Sequence, residues 1–280
     1  MNVKDAVKRL FRCSVKIIYN LLANPVIRSI DMNGTLALNG SEKVSTLNRT
    51  SNKCLLILLL TMVSAQLSIE IVDAYDFGAG VDKFDDISLL TGLIALVIGC
   101  IGASKPKHSL IYILLFAMIQ GASAGLYACY DALTDEGYFC AYTSCCYFTC
   151  LSAIGLFRFT NILKRSLKFV IPVVTLFSIG FVFFIDWIFD GTDLMILDNI
   201  DAATVAWCSF FCLICTVNVT LDFFKFKSFI SRGIPKYYEY FLALAILFTF
   251  LWMLFEIINA LSAYVKAWSY EHEKSSGSGS

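Results

Sequence analysis

Polar and apolar positions along this chain fall into long blocks rather than into the short periods of a soluble fold. Seven blocks stay predominantly apolar for about 20 residues, the length a helix needs to cross the hydrocarbon core of a bilayer. They run approximately Lys53–Val72, Ile87–Ala103, Ser109–Tyr130, Tyr138–Phe157, Leu167–Phe189, Ala202–Phe224 and Tyr237–Tyr264. Backbone polar groups in lipid must be satisfied within their own segment, so each block is predicted as an α-helix. The second is short and rich in small residues (Gly92, Gly99, Gly102, Ala103), which predicts close packing inside a bundle rather than lipid exposure. The expected fold class is an all-α membrane protein, a seven-transmembrane-helix bundle with its N-terminus cytoplasmic and its C-terminus outside.

Residues 1–52 differ in character. Val7, Leu10, Phe11, Val15, Ile18 and Leu22 share one helical face, and Lys4, Lys8, Arg9, Arg12 and Lys16 surround it. This segment reads as an interfacial helix drawn to anionic lipid, in preference to a mitochondrial-type presequence. From Asn33 to Asn52 the chain is polar, with turn signals at Asn33-Gly34 and Asn39-Gly40. Residues 53–268 form the expected membrane domain. Residues 269–280 are a polar tail whose last six, SSGSGS, read as a flexible linker without functional content.

Composition removes the alternatives. Hydrophobic residues make up 58% of the chain and charged residues 16%, with a mean hydropathy of +0.71. Soluble domains hold roughly 45–50% and about 25%. So few charges cannot cover so much apolar surface in water, which excludes a soluble or disordered chain.

A net charge of zero conceals a strong asymmetry. Nine basic residues precede or open the first span, two lie between the second and third, four between the fourth and fifth, and four between the sixth and seventh. These nineteen of the 22 Lys and Arg residues all fall on one side. The opposite loops contain Lys83 alone, and the tail adds Lys266 and Lys274. Because Lys and Arg accumulate on cytoplasmic flanks, this side is assigned to the cytoplasm. A reporter at residue 30 is expected to be cytoplasmic and one after residue 268 extracytoplasmic; finding both on one side would overturn the span count. The other side carries thirteen carboxylates in or bordering its three loops, among them Asp82, Asp85 and Asp86. Such a field concentrates cations at a pathway mouth. It equally suits plain loop solvation, and the spacing lacks the glycine and terminal glutamate of an EF-hand.

An ionisable residue within a span is costly and therefore a functional candidate. Asp222 lies near the cytoplasmic end of span six, Glu239 opens span seven and Glu256 sits deeper in it. These three are the candidate ion and pH gating residues. Glu70 and Asp186 border outer ends and are expected to reach water. On span six, Cys208, Cys212, Cys215, Asn218 and Asp222 are spaced 4, 3, 3 and 4 residues apart and share a face. Asn218 and Cys215, with Gln120 of span three, are candidate pathway lining, a role that competes with close helix packing. The eleven cysteines include Cys140, Cys145, Cys146 and Cys150 in span four. They show no paired zinc spacing and read as small packing residues, so no metal is expected. Only His108 and His272 supply imidazole, and no hydrolase, zincin or nucleotide-loop motif is present. The chain is expected not to be an enzyme, to need no cofactor and to bind no nucleic acid.

Leu22-Ala23-Asn24-Pro25, then Asn33-Gly34-Thr35-Leu36-Ala37-Leu38-Asn39-Gly40, then Asn52-Lys53-Cys54-Leu55-Leu56-Ile57-Leu58 form an opening that resembles the bacterial YccA-like branch of the Bax inhibitor-1 family. The close of the chain is similar too: Asn218-Val219-Thr220-Leu221-Asp222-Phe223-Phe224, Arg232-Gly233-Ile234-Pro235-Lys236-Tyr237-Tyr238-Glu239-Tyr240, and Trp252-Met253-Leu254-Phe255-Glu256-Ile257. The likeness spans about residues 22–265. It implies a seven-helix fold with the last helix central and a pH-sensitive cation (calcium) leak. It also implies that an aspartate on helix six, matched by Asp222, pairs with one on helix seven. The second aspartate is not matched, because Leu247-Phe248-Thr249-Phe250 stands in its place. The resemblance further implies a bacterial inner membrane, with an organellar membrane as the alternative. Its partners would be the lipid bilayer and calcium or another cation. The rival reading is a non-transporting membrane protein that packs against or regulates a partner membrane complex.

Overall fold

The computed structural model describes residues 44–75, 81–133, 138–160, 162–188 and 202–251. The expected amphipathic N-terminal helix, Glu256 and the polar tail lie outside them. Seven α-helices follow in chain order: α1 Leu47–Tyr75, α2 Val81–Ser104, α3 Ser109–Leu133, α4 Tyr138–Phe159, α5 Leu167–Ile188, α6 Ala202–Ser231 and α7, described over Tyr238–Leu251. Among the described residues, five of these helices are long and apolar enough by length and composition to cross a membrane, and Thr143–Phe159 and Tyr238–Leu251 are shorter apolar helices. The only extended pairing among them is an isolated antiparallel bridge between Val44 and Pro235.

Local chemistry sets the helix ends. α1 begins at Leu47 rather than at Lys53, because Thr46 caps it: its Oγ1 accepts the Arg49 N–H at 3.4 Å, and its carbonyl accepts the Thr50 N–H at 3.0 Å. α6 ends where Gly233 takes a left-handed φ of 81°, with its N–H bonded to the Ile230 carbonyl at 3.0 Å. Pro235 then bars continuation of the helix.

Helix directions follow from paired contacts. A Cβ built on Gly121 or Gly125 of α3 would fall 2.3 Å from the carbonyl oxygens of Thr61 and Ala65 of α1, so both partners advance by four and the helices run parallel. α4 and α6 are likewise parallel, with Cys145 against Cys208 and Thr149 against Cys212. α2 and α7 are antiparallel, since Gly99 meets Phe248 and Gly102 meets Leu244. These three relations fit one up-and-down traverse in which odd helices run one way and even helices the other.

α7 is the axis of the bundle. Phe241 to Leu247 are all buried, so the helix is covered on every side. It reaches α1 through Glu239, α2 through Leu244, α3 through Phe248 stacked on Phe116 at 5.3 Å, α4 through Phe250 edge-on to Tyr147 at 5.5 Å, and α6 through Thr249.

α2 departs from its expected setting. Its glycines do pack tightly, but Leu89, Leu90, Leu93, Ile94 and Val97 are exposed and form a broad apolar face. The helix is therefore an outer one, with its small residues toward the bundle and its large ones toward lipid. Small residues set how closely one face approaches a neighbour and leave the other face undetermined.

Candidate functional site

Asp222 stands one turn before Phe226 on α6, with 3% of its surface exposed. Thr249 of α7 donates its hydroxyl to Asp222 Oδ2 at 2.5 Å. Lys225, three residues on along the same helix, holds its Nζ 3.8 Å from Oδ1. Cys54 of α1 lies within the electrostatic reach of the carboxyl. One acid thus joins α6 to the axial helix and faces α1, where a change in its charge alters an interhelical hydrogen bond directly. A hydroxyl, that of Thr249, stands in the stretch of α7 where the resemblance implied a second carboxylate, and it hydrogen-bonds Asp222.

Glu239, fully buried at 0%, belongs to a different site. Its Oε2 receives Lys53 Nζ of α1 at 2.6 Å, and its Oε1 accepts the Thr46 N–H at 3.4 Å. The same Lys53 ammonium lies 3.7 Å from the centroid of the Tyr240 ring. Ser45 N–H donates to the Ile234 carbonyl at 2.9 Å, so the start of α1 is strapped across the α6–α7 turn. Glu239 is ten residues from Thr249, about 15 Å along a helix, and is not brought together with Asp222. Removing one partner of a buried pair leaves an uncompensated charge and costs about 3–5 kcal/mol. Lys53→Met is therefore expected to lower stability by about 3 kcal/mol, and adding Glu239→Gln should recover most of it. Thermal unfolding in detergent reads both; an unchanged midpoint for Lys53→Met would show that the pair contributes nothing.

The remaining candidates separate by position. Cys208, Cys212 and Cys215 of α6 face α4: Cys208 hydrogen-bonds Cys145, Cys212 accepts the Thr149 hydroxyl at 3.1 Å, and Cys215 meets Cys146 and Cys150. Asn218 continues this face and donates Nδ2 to the Ile214 carbonyl at 3.0 Å. Gln120 lies one turn beyond Phe116 on α3, and its Oε1 is buried without a hydrogen-bond partner among the described residues. Among the described residues, no three His, Cys, Asp or Glu side chains are grouped to hold a metal ion. Glu256 lies outside the described residues.

Two residues gain roles that the linear pattern did not assign: Thr249, as the donor to Asp222, and Lys53, as the cation of Glu239. A third, Asp186, was expected to reach water but is buried at 5% exposure. It sits on the inward face of α5 with Val174, Ser178 and Val182, at helical spacings of four. That spacing was the signal available in the sequence.

A family model described as Bax inhibitor 1 like matches residues 24–266 of the chain. No curated protein and no solved structure matches it.

Proposed function

Because the chain belongs to the Bax inhibitor 1 like family and is a multi-pass membrane protein, we propose that it is a pH-sensitive cation leak, with calcium as the leading cation, gated at Asp222. The observation that carries this reading is the buried carboxyl of Asp222 bound by the Thr249 hydroxyl across the α6–α7 interface. A group gates only if its two protonation states favour different arrangements. The charged form accepts the Thr249 hydroxyl strongly, which holds α6 against α7, and also attracts Lys225 of its own helix; a protonated carboxyl loses the charge from both contacts. Flux should therefore rise as pH falls. Lys225 faces Asp222 from its own helix, Cys54 from α1 and Thr249 from α7.

The protein is read as a transporter and not as an enzyme, in a bacterial inner membrane. Calcium uptake into dye-loaded liposomes carrying the purified protein, recorded across a pH series, tests the reading. Protein-dependent flux that increases on acidification is the expected result. Flux equal to that of empty liposomes at every pH would overturn it and favour a non-transporting protein that regulates a partner membrane complex.

A further inference from the structure

Charge at the basic end of the bundle is unevenly balanced. Among the described residues, the acids at this end are Asp222 and Glu239, which are buried and answer Lys225 and Lys53. The stretch from Gly137 to Ile185 covers α4, the α4–α5 corner and most of α5 and contains no Asp or Glu, yet it carries Arg158, Lys164, Arg165 and Lys168. Arg158 is engaged, since its Nε donates to Asn52 Oδ1 of α1 at 2.7 Å. Lys164, Arg165 and Lys168 are exposed, and their side chains make no ion pair or hydrogen bond among the described residues. The corner therefore presents three cations without a counter-charge.

Two further observations indicate what these cations meet. The corner is fixed: a 3₁₀ turn over Ile162–Lys164 buries Leu163, whose carbonyl accepts Lys227 Nζ of α6 at 2.8 Å, and the Arg165 N–H donates to the Ile162 carbonyl at 2.9 Å. Along the chain it is flanked by two exposed rings. Phe159, the last residue of α4, is 82% exposed with the Arg158 guanidinium 5.7 Å from its centroid, and Phe169, in the first turn of α5, is 54% exposed. Both stand at the ends of apolar helices, at the depth where hydrocarbon gives way to headgroups. Exposed rings beside exposed cations match a phospholipid, whose acyl chains take the rings and whose phosphate takes the charges. A soluble acidic partner would use the charges alone.

We infer that the α4–α5 corner is a binding site for an anionic phospholipid, with Lys164, Arg165 and Lys168 on its headgroup phosphate and Phe159 and Phe169 against its acyl chains. The attraction is Coulombic and weakens with added salt. Each Lys or Arg at an anionic surface strengthens binding about fivefold, so removing all three should weaken it about a hundredfold. The α2–α3 loop at the same end provides the contrast. Its Lys105 and Lys107 are exposed too, but no exposed Phe, Tyr or Trp stands between Ile101 and Met118. The site is independent of the leak reading, since lipid can be held whether or not a cation crosses.

The test adds phosphatidylglycerol or phosphatidylcholine to the purified full chain in neutral detergent and reads the thermal unfolding midpoint and the lipid retained in native mass spectra. Phosphatidylglycerol should raise the midpoint and stay bound, and phosphatidylcholine should do neither. The triple variant Lys164→Gln, Arg165→Gln, Lys168→Gln should need about a hundredfold more phosphatidylglycerol for the same shift. The double variant Lys105→Gln, Lys107→Gln should keep the wild-type response. A wild-type response in the triple variant, or an equal loss in the double variant, overturns the site. So does an equal shift from glycerol phosphate, which would make the ligand a free phosphate, or from polyglutamate, which would make it an acidic protein. If the triple variant does not insert, lysine acetylation of the wild type in vesicles carries the test. Replacing phosphatidylcholine by phosphatidylglycerol should then slow Lys164 and Lys168 about fivefold more than Lys105 and Lys107. Equal protection of all four lysines overturns the inference.

Discussion

Replacing Asp222 by Asn is expected to abolish the pH dependence of cation flux in liposomes while the protein still folds and inserts. Asn matches Asp in size and can still accept the Thr249 hydroxyl, so the packing among α1, α6 and α7 is retained. It cannot carry the charge that strengthens that hydrogen bond and attracts Lys225. A hydrogen bond to a charged group contributes roughly 1.5–3 kcal/mol, and 1.4 kcal/mol is a factor of ten in an equilibrium. Flux through Asp222→Asn at high pH should therefore exceed that of wild type by about tenfold or more, and its ratio between acid and alkaline conditions should approach one. Thr249→Val removes the donor and leaves the carboxyl in place; it should raise flux at high pH while keeping a dependence on pH. A wild-type profile in Asp222→Asn would place the gate elsewhere.

The largest effect on stability is expected at two glycines of α3. Gly121→Ala and Gly125→Ala each place a Cβ 2.3 Å from a backbone carbonyl oxygen of α1, where the obstacle is a helix backbone that cannot swing aside like a flexible side chain. Ser64 of α1 also donates to the Met118 carbonyl at 2.6 Å, so parting the helices to admit a methyl group would break that hydrogen bond as well. Overpacking of this kind costs about 1–3 kcal/mol and occasionally more; each variant should sit at the upper end, and the pair should leave little folded protein. Gly155 and Gly180 serve as controls, since a Cβ on either meets nothing within 4 Å. Their Ala variants should be neutral or stabilised by up to about 1 kcal/mol, because Gly lowers helix propensity by that much relative to Ala. Thermal unfolding in detergent compares all four, and equal midpoints would show that the α1–α3 contact is looser than these distances indicate.

What could be read in the chain and what could not divides by range. Apolar blocks located all seven α-helices among the described residues, because solvation by lipid acts on each segment separately and leaves its mark in consecutive residues. The glycine and proline after α6 act in the same local way, since a left-handed φ and a missing N–H are properties of single residues. Thr46 illustrates the limit of such signals: the cap that starts α1 at Leu47 depends on one hydroxyl, while the apolar run by itself pointed to Lys53.

Beyond the helix ends, partners are set by packing. Glu239 and Asp222 looked alike as acids flanking the same turn, yet Glu239 belongs to Lys53 because α1 crosses the α6–α7 turn, a contact between residues 186 positions apart. Exposed leucines on α2 were equally illegible, for its glycines specify one face and are silent on the other. Asp186 shared its position near a helix end with acids expected to reach water; its spacing of four from Val174, Ser178 and Val182 hinted at the inward face, and its burial in the bundle establishes it.

By itself, the sequence determined that this is a multi-pass helical membrane protein, the order of its spans and the candidacy of Asp222, all consequences of local hydropathy, charge and motif. Tertiary structure decided that Thr249 answers Asp222, that Lys53 neutralises Glu239 and that α1 crosses the α6–α7 turn. Each of these is a meeting of residues far apart in the chain, fixed by interhelical register, and the register follows from how small and large residues interlock across the whole bundle.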